Sequence, residues 1–200
     1  MALGKQAKTL TQKQIEVALS YLATTRYGLR NQVIFLLSTK AGLRAKEIAG
    51  LRWSMAVDAT GRVGNSINLT NSVSKGKNGG RSIPINRDLK QHLMQLFDEV
   101  SNHHRFEVHT ACVITTERSG FTSPQSVVNQ FAKWYSDLGF VGCSSHSGRR
   151  TFITNAARRI SNVGGSVRDV QMMAGHSNLN TTQRYIEADA ECQRRVVDLV

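Results

Sequence analysis

His176 and Tyr185 lie close together in Ala174-Gly175-His176-Ser177-Asn178-Leu179-Asn180-Thr181-Thr182-Gln183-Arg184-Tyr185. Between them, Ser177 to Asn180 are turn-forming residues that let the chain reverse and bring imidazole and phenol together. A protonated tyrosine, with an ordinary pKa of about 10, is a poor nucleophile. A nearby base and cations that stabilise the phenolate make it a useful one. Alone, these two residues read more simply as a loop His beside a helix Tyr. In His146-Ser147-Gly148-Arg149, a His and an Arg stand at i and i+3 on one face of a helix start. That end of a helix attracts anions, and His moves protons near neutral pH. A polar cap with a surface Arg describes the same residues equally well.

Arg44 follows Gly42 and opens a helix, with Glu47 three residues on and on its face. Arg suits a two-pronged grip on phosphate oxygens, although a surface Arg–Glu pair is the plainer reading of these two alone. Ser74-Lys75-Gly76-Lys77-Asn78-Gly79-Gly80-Arg81 forms a glycine-rich turn, and no acidic residue occurs from Ser72 to Arg87. Such a tip either reaches a phosphate ester through a lysine or is an ordinary solvated turn. It lacks the spacing of a phosphate-cradling P-loop. Taken together, two Args, two Hises, a Lys and a Tyr make a metal-free site for attacking a phosphodiester. The guanidiniums take over the charge neutralisation that a metal would otherwise provide. No Asp/Glu/His cluster suggests a metal site, and no cofactor is expected.

The chain of 200 residues has length enough for one domain with a real core, and 40% hydrophobic residues support a folded protein. A formal net charge of +12 favours a polyanionic partner, with nucleic acid the commonest. A membrane surface would require a basic amphipathic helix with exposed large apolar residues, and no clear one occurs. Cys112, Cys143 and Cys192 lack CxxC spacing, which argues against a zinc site or a disulfide framework and for a reduced, cytoplasmic setting. Met1 to Lys5 has no apolar signal core, and the run Val33 to Leu37 is too short to span a bilayer.

The elements that must position these groups are mostly helices. Thr11 and Gln14 form a capping box, with Leu10 stapled onto Ile15, and Ile15, Ala18, Leu19 and Leu22 keep helical spacing. A second helix runs from Leu29 to a stop at Gly42, and a short one from Arg44 to Leu51. Met55-Ala56-Val57, Ser66 to Thr70 and Arg81 to Ile85 read as three short antiparallel strands, with Pro84 marking an edge. Helices follow over Asp88–Val100, from Ser123-Pro124, over Gly148–Ile160 and over Val167–Ala174. Asn180 or Thr181 is expected to cap a last helix that holds Tyr185 in its first turns. Ala188, Cys192, Val196, Leu199 and Val200 line one stripe of the tail. The fold class expected is α+β and mainly α, with a small three-stranded antiparallel sheet segregated from the helices.

Three segments, Ala41 to Ile48, His146 to Phe152 and Gly175 to Tyr185, resemble the signature boxes of the tyrosine recombinases, the phage integrase family. Their order, their spacing and the sheet between them are similar from about Leu10 onward. The resemblance implies that Arg44 and Arg149 clamp a scissile phosphate and that Tyr185 attacks it, giving a 3′-phosphotyrosine and a free 5′-hydroxyl. It implies that Lys75, with Lys77 as rival, protonates the leaving oxygen. His146 would act as base toward Tyr185, His176 would donate a hydrogen bond to the phosphate, and Glu47 would support the arginines. Lys77, Arg81, Arg150 and Arg184 are expected to contact DNA. Gly148 departs from the larger apolar residue usual in the family, and Ala174 from Leu.

The resemblance divides the chain into a basic N-terminal tail over residues 1–9, a catalytic domain over 10–187, and a helical tail over 188–200 that docks either on its own domain or on a neighbouring protomer. It describes either a naturally single-domain integrase or an isolated catalytic domain, since family members commonly carry a further N-terminal helical domain. The implied partners are double-stranded DNA and further copies of the chain, free as a monomer and tetrameric on two DNA sites. The implied function is site-specific recombination in integration, excision or inversion. A type IB topoisomerase-like nicking-closing enzyme is disfavoured by the integrase-like third box. A non-catalytic DNA-binding regulator or prophage remnant is disfavoured by the intact set of six residues.

Overall fold

The computed structural model describes residues 7–74, 80–104, 106–117, 119–185 and 197–198. Lys75, Lys77 and nearly all of the C-terminal tail, including Ala188, Cys192 and Val196, lie outside the described residues. Local chemistry sets the first helix, α1 (Gln12–Ala23). The Thr11 hydroxyl accepts from the Gln14 N–H at 3.2 Å, and the Gln14 side chain accepts from the Thr11 N–H at 2.9 Å. Leu10 is buried beside Ile15 and donates its N–H to Thr151 Oγ1 at 2.8 Å, which fastens the chain start to a later helix.

The next helix, α2 (Gly28–Ala41), carries the consecutive buried residues Val33 to Leu37. A helix apolar on all sides belongs in the middle of a domain, and the other elements pack around it. Gly42 ends it in the left-handed region at φ 66°, and α3 (Ala45–Ala49) begins three residues later. The helices α4 (Arg87–Ser101) and α5 (Pro124–Asp137) are capped by Asn86 and Ser123, whose side chains accept from Asp88 N–H and Ser126 N–H. Pro124 occupies the first turn of α5, where its missing N–H costs nothing. Phe131 of α5 packs on Phe35 of α2 and edge-on against Trp134, with ring centroids at 6.3 and 5.3 Å.

The sheet has two strands among the described residues, not three. β1 (Ser66–Leu69) pairs antiparallel with β2 (Arg81–Pro84), with Ile67 opposite Ile83 and both fully buried. The expected first strand is instead a 3-10 turn over Trp53–Met55, and Val57 makes only an isolated bridge with Val63. The reason is long-range: Trp53 N–H and Ser54 N–H are taken by the carbonyls of Ala111 and Val108, at 3.1 and 2.9 Å.

The last third of the chain folds as α6 (Ser147–Arg159), α7 (Val167–Ala174) and α8 (Leu179–Gln183). Ile153, Val170 and Ala174 form a second, smaller buried cluster there. A 3-10 turn over Ile160–Val163 ends at Gly164 and links α6 to α7. Asn178, not Asn180 or Thr181, caps α8 by accepting from Asn180 N–H at 2.8 Å. Tyr185 consequently lies just past the end of α8 rather than in its first turns.

Gly148, where the resemblance implies a larger apolar residue, has no room for one. It lies where α6 crosses α2, and a Cβ there would come within 2.4 Å of Ser38 Oγ, 2.9 Å of Ser38 Cβ and 3.1 Å of Thr39 Cγ2. Gly148→Ala is expected to lower stability by about 1 kcal/mol, because overpacking of ~1–3 kcal/mol outweighs the helix propensity gained. Urea unfolding checks this. Ser38→Ala in the same background should recover part of the loss by removing the nearest atom, a buried Oγ with no hydrogen-bond partner among the described residues.

Candidate active site

Arg149 is the most buried cation of the site, with 4% of its surface exposed. Its guanidinium donates from Nη1 to the Gly42 carbonyl, and from Nη2 to the Ala174 carbonyl at 2.6 Å. Those carbonyls end α2 and α7. Helix C-termini present unpaired carbonyls and a partial negative charge, so they are good places to hold a buried cation. Burial, followed by the charge of Arg44, pushes the Arg149 pKa down to about 9, which leaves it a cation at neutral pH.

The chain reverses immediately after α7. Gly175 adopts φ 62°, its N–H returns to Met172 O, and the His176 N–H returns to Gln171 O at 3.1 Å. This Schellman ending aims the imidazole back over α6. His176 Nε2 lies 3.0 Å from Arg149 Nη2, and Nδ1 lies 3.0 Å from Thr182 Oγ1. The ring stacks on Tyr185, with centroids 5.6 Å apart and planes 22° from parallel. Tyr185 is half-buried and tied to α6 by its carbonyl, which accepts from Thr154 Oγ1 at 3.3 Å. Burial, then the charges of Arg149, Arg44 and Arg81, pushes the His176 pKa down to about 4, so the imidazole is neutral at pH 7.

Glu47 is the acid of the cluster, 1% exposed. It accepts from the Arg44 N–H at 2.8 Å and from Arg44 Nη1 at 3.0 Å, and Arg81 Nη1 and Nη2 grip its two oxygens at 2.8 and 3.1 Å. Burial alone would raise its pKa, but hydrogen bonds and charge from Arg81 and Arg44 hold it below the usual carboxylate range. Arg81 also donates from Nε to the Met173 carbonyl at 2.8 Å, and its side chain is only 7% exposed. Arg81, expected as a DNA contact, here braces Glu47 against the end of α7.

Beside Arg149 and Tyr185 opens a cleft of about 370 Å³, also lined by His146, Arg150 and Arg184. His146 is exposed at the N-cap of α6, Arg150 is half-buried and Arg184 is exposed. Of the expected set, the structure brings Arg44, His146, Arg149, His176 and Tyr185, with Glu47 behind them, to one place. Lys75 and Lys77 lie outside the described residues. Among the described residues, no three His, Cys, Asp or Glu side chains are grouped as metal ligands, and no helix is long and apolar enough to cross a membrane.

Sequence reasoning missed Thr182, which is fully buried against His176. It also missed the two carbonyls that hold Arg149. The glycine stops at Gly42 and Gly175 were the available signal, because a helix that ends in the left-handed region turns its last carbonyls toward whatever lies beyond it.

The profile of the phage integrase family matches residues 8–191. A tyrosine recombinase XerC of Myxococcus xanthus is 27% identical over 87% of this chain and 55% of its own length. A tyrosine recombinase XerA of Thermococcus onnurineus is 27% identical over 94% of this chain and 61% of its own length. The chain thus spans little more than half the length of these relatives. Among solved structures, a XerA recombinase superposes with a TM-score of 0.72 at 18% identity, over 100% of this chain and 65% of that one. The Tn1549 transposon integrase, in complex with a circular intermediate DNA, gives 0.72 at 20% identity, over 98% and 66%. These superpositions establish a shared fold.

The neutral His176 gives a stability test. Its pKa is about 4 when folded, against 6.5 ordinarily, so between these values the unfolded chain binds the extra proton. Stability is therefore expected to fall as pH drops from about 6.5 toward 4, and to be level in this respect above 6.5. Urea unfolding across that range should show a shallower slope in His176→Asn than in the native sequence.

Proposed function

We propose that this chain, which belongs to the phage integrase family, is the catalytic domain of a site-specific DNA recombinase that cuts and rejoins DNA through a 3′-phosphotyrosine. The observation that carries this reading is His176, whose ring stacks on Tyr185 while its Nε2 meets the buried Arg149. A nucleophile and a phosphate-binding cation from separate elements thereby share one imidazole. The relatives named as tyrosine recombinases support the same reading, and no comparable observation favours a nicking-closing enzyme without strand exchange.

In this reading, Arg44 and Arg149 neutralise the non-bridging oxygens of the scissile phosphate. The Tyr185 hydroxyl oxygen bonds to phosphorus and passes its proton to His146. The bond from phosphorus to the 5′-oxygen breaks, and Lys75 supplies a proton to that oxygen. The products are a 3′-phosphotyrosine and a 5′-hydroxyl. Attack by a 5′-hydroxyl from another strand reverses the steps, so the ester bond is conserved and no nucleotide is spent. Oriented cations placed where charge develops supply the rate enhancement.

The catalytic domain is read as residues 10–187, in line with the family match over 8–191. Residues 1–9 are read as a basic tail and 188–200 as a segment for contact between protomers. The proposed partners are double-stranded DNA and three further copies of the chain on two paired sites, with a monomer when free. Lys77, Arg150 and Arg184 are proposed DNA contacts, Arg150 and Arg184 because they line the cleft. A cytoplasmic location goes with a DNA substrate and with the free thiols of Cys112 and Cys143.

A nicked suicide DNA substrate tests the chemistry. The native chain should form a covalent adduct and Tyr185→Phe none; an adduct persisting in Tyr185→Phe would overturn the assignment. Lys75→Ala should lower the yield and recover it on a substrate with a sulfur leaving group at the 5′ position. Recovery confined to Lys77→Ala would transfer the role to Lys77. Affinity for DNA should fall steeply with salt, as release of condensed counterions requires.

A further inference from the structure

His176 touches two groups of different character, and their chemistry fixes where its proton lies. An Arg guanidinium only donates, so the neutral imidazole must accept at Nε2 from Arg149 Nη2, at 3.0 Å. The single N–H of that imidazole is then at Nδ1, where it meets Thr182 Oγ1 at 3.0 Å. Thr182 is fully buried in α8, so water does not compete for this bond. Its carbonyl accepts the Tyr185 N–H at 3.0 Å. One residue therefore holds the imidazole through its hydroxyl and the turn bearing the phenol through its backbone.

We propose that Thr182 is a positioning residue of the site: its hydroxyl satisfies the Nδ1–H that acceptance from Arg149 leaves on His176, and so holds that ring against Tyr185. This deepens the recombinase reading and rests on it for its catalytic consequence. In the free protein His176 is an acceptor that helps to hold Arg149. Donation from His176 to a phosphate oxygen requires the proton at Nε2 instead. A hydroxyl both accepts and donates, so Thr182 can partner Nδ1–H before the phosphate arrives and a bare Nδ1 afterwards. An apolar residue of the same shape can do neither. The charged and titratable groups around the ring are Arg149 from α6, Arg44 ahead of α3, Arg81 from β2 and Tyr185 after α8. None of these supplies an acceptor to Nδ1 in the structure.

The test compares Thr182→Val, which keeps the shape and removes the hydroxyl, with Thr182→Ser, which keeps the hydroxyl. Nitrogen-15 spectra of the imidazoles, recorded on the full chain without DNA, report the tautomer, and the His176 signals are those missing from His176→Asn. The native chain and Thr182→Ser should show Nδ1–H at His176 with the downfield proton shift of a hydrogen bond, and Thr182→Val should lose that hydrogen-bonded signal. With a nicked DNA substrate, Thr182→Val should form the covalent adduct about tenfold more slowly, the size of one ordinary hydrogen bond, and Thr182→Ser should recover most of the rate. Nε2–H in the native chain, or an unchanged hydrogen-bonded Nδ1–H signal in Thr182→Val, overturns the inference. So does equal slowing in Ser and Val, which would indicate packing alone. If Thr182→Val does not fold, the native and Ser spectra still decide. Absence of adduct from the native chain would overturn the recombinase reading, whereas the tautomer is read without reference to it.

Discussion

A guanidinium buried between two helix ends organises this protein. Arg149 lies in α6, and its acceptors are the carbonyl ends of α2 and α7. Removing an arginine from water is costly, and the cost is recovered only where good acceptors are already in place. The left-handed glycines Gly42 and Gly175 create those places by ending each helix abruptly and leaving its last carbonyls facing α6. One cation thus joins the ends of two helices to a third. The same ending at Gly175 turns His176 back toward Arg149, so the fold's central ionic contact and the geometry of the candidate site have a single cause.

Glu47 does comparable work on the other side. It is buried and shared by two arginines from different elements. A carboxylate in that position would be unfavourable with one partner removed and acceptable with both. Arg81 thereby ties the hairpin of β1 and β2 to α3, and through Met173 to α7. The hairpin that precedes it carries Lys75 and Lys77 in the sequence. The described part of that hairpin is therefore anchored to the same acid that orients Arg44.

Much of this was legible in the chain because much of it is local. Thr11 with Gln14, Ser123 with Pro124 and the glycine stop at Gly42 act within four residues, and the structure uses each as expected. Where the outcome depended on distant partners, local reading went astray. Met55 to Val57 became a turn because the preceding Trp53 and Ser54 bond to carbonyls of Ala111 and Val108. Arg81 looked like a cation on a solvated hairpin, because its bond to Glu47 spans 34 positions and leaves no periodic trace. The site residues were individually ambiguous for the same reason. A loop His and a helix Tyr became a stacked pair only through the reversal at Gly175 and the early cap at Asn178.

The charge balance of the cluster suits the phosphate proposed for it. Arg44, Arg81 and Arg149 carry three positive charges, Glu47 carries one negative charge and His176 is neutral, which leaves an excess of two positive charges. Burial and mutual repulsion push both Arg149 and His176 toward losing protons. In isolation that is a destabilising arrangement, and folds do not accumulate such strain without recompense. A phosphodiester, singly negative and furnished with acceptor oxygens, relieves it. It offers the guanidiniums ionic acceptors stronger than carbonyls and cancels part of the field that keeps His176 neutral. Anion binding would then raise the proton affinity of His176 and favour its donor state. In the proposed reading, the phosphate itself would thus convert the imidazole from a group that holds Arg149 into one that hydrogen-bonds the substrate, beside the Tyr185 phenol.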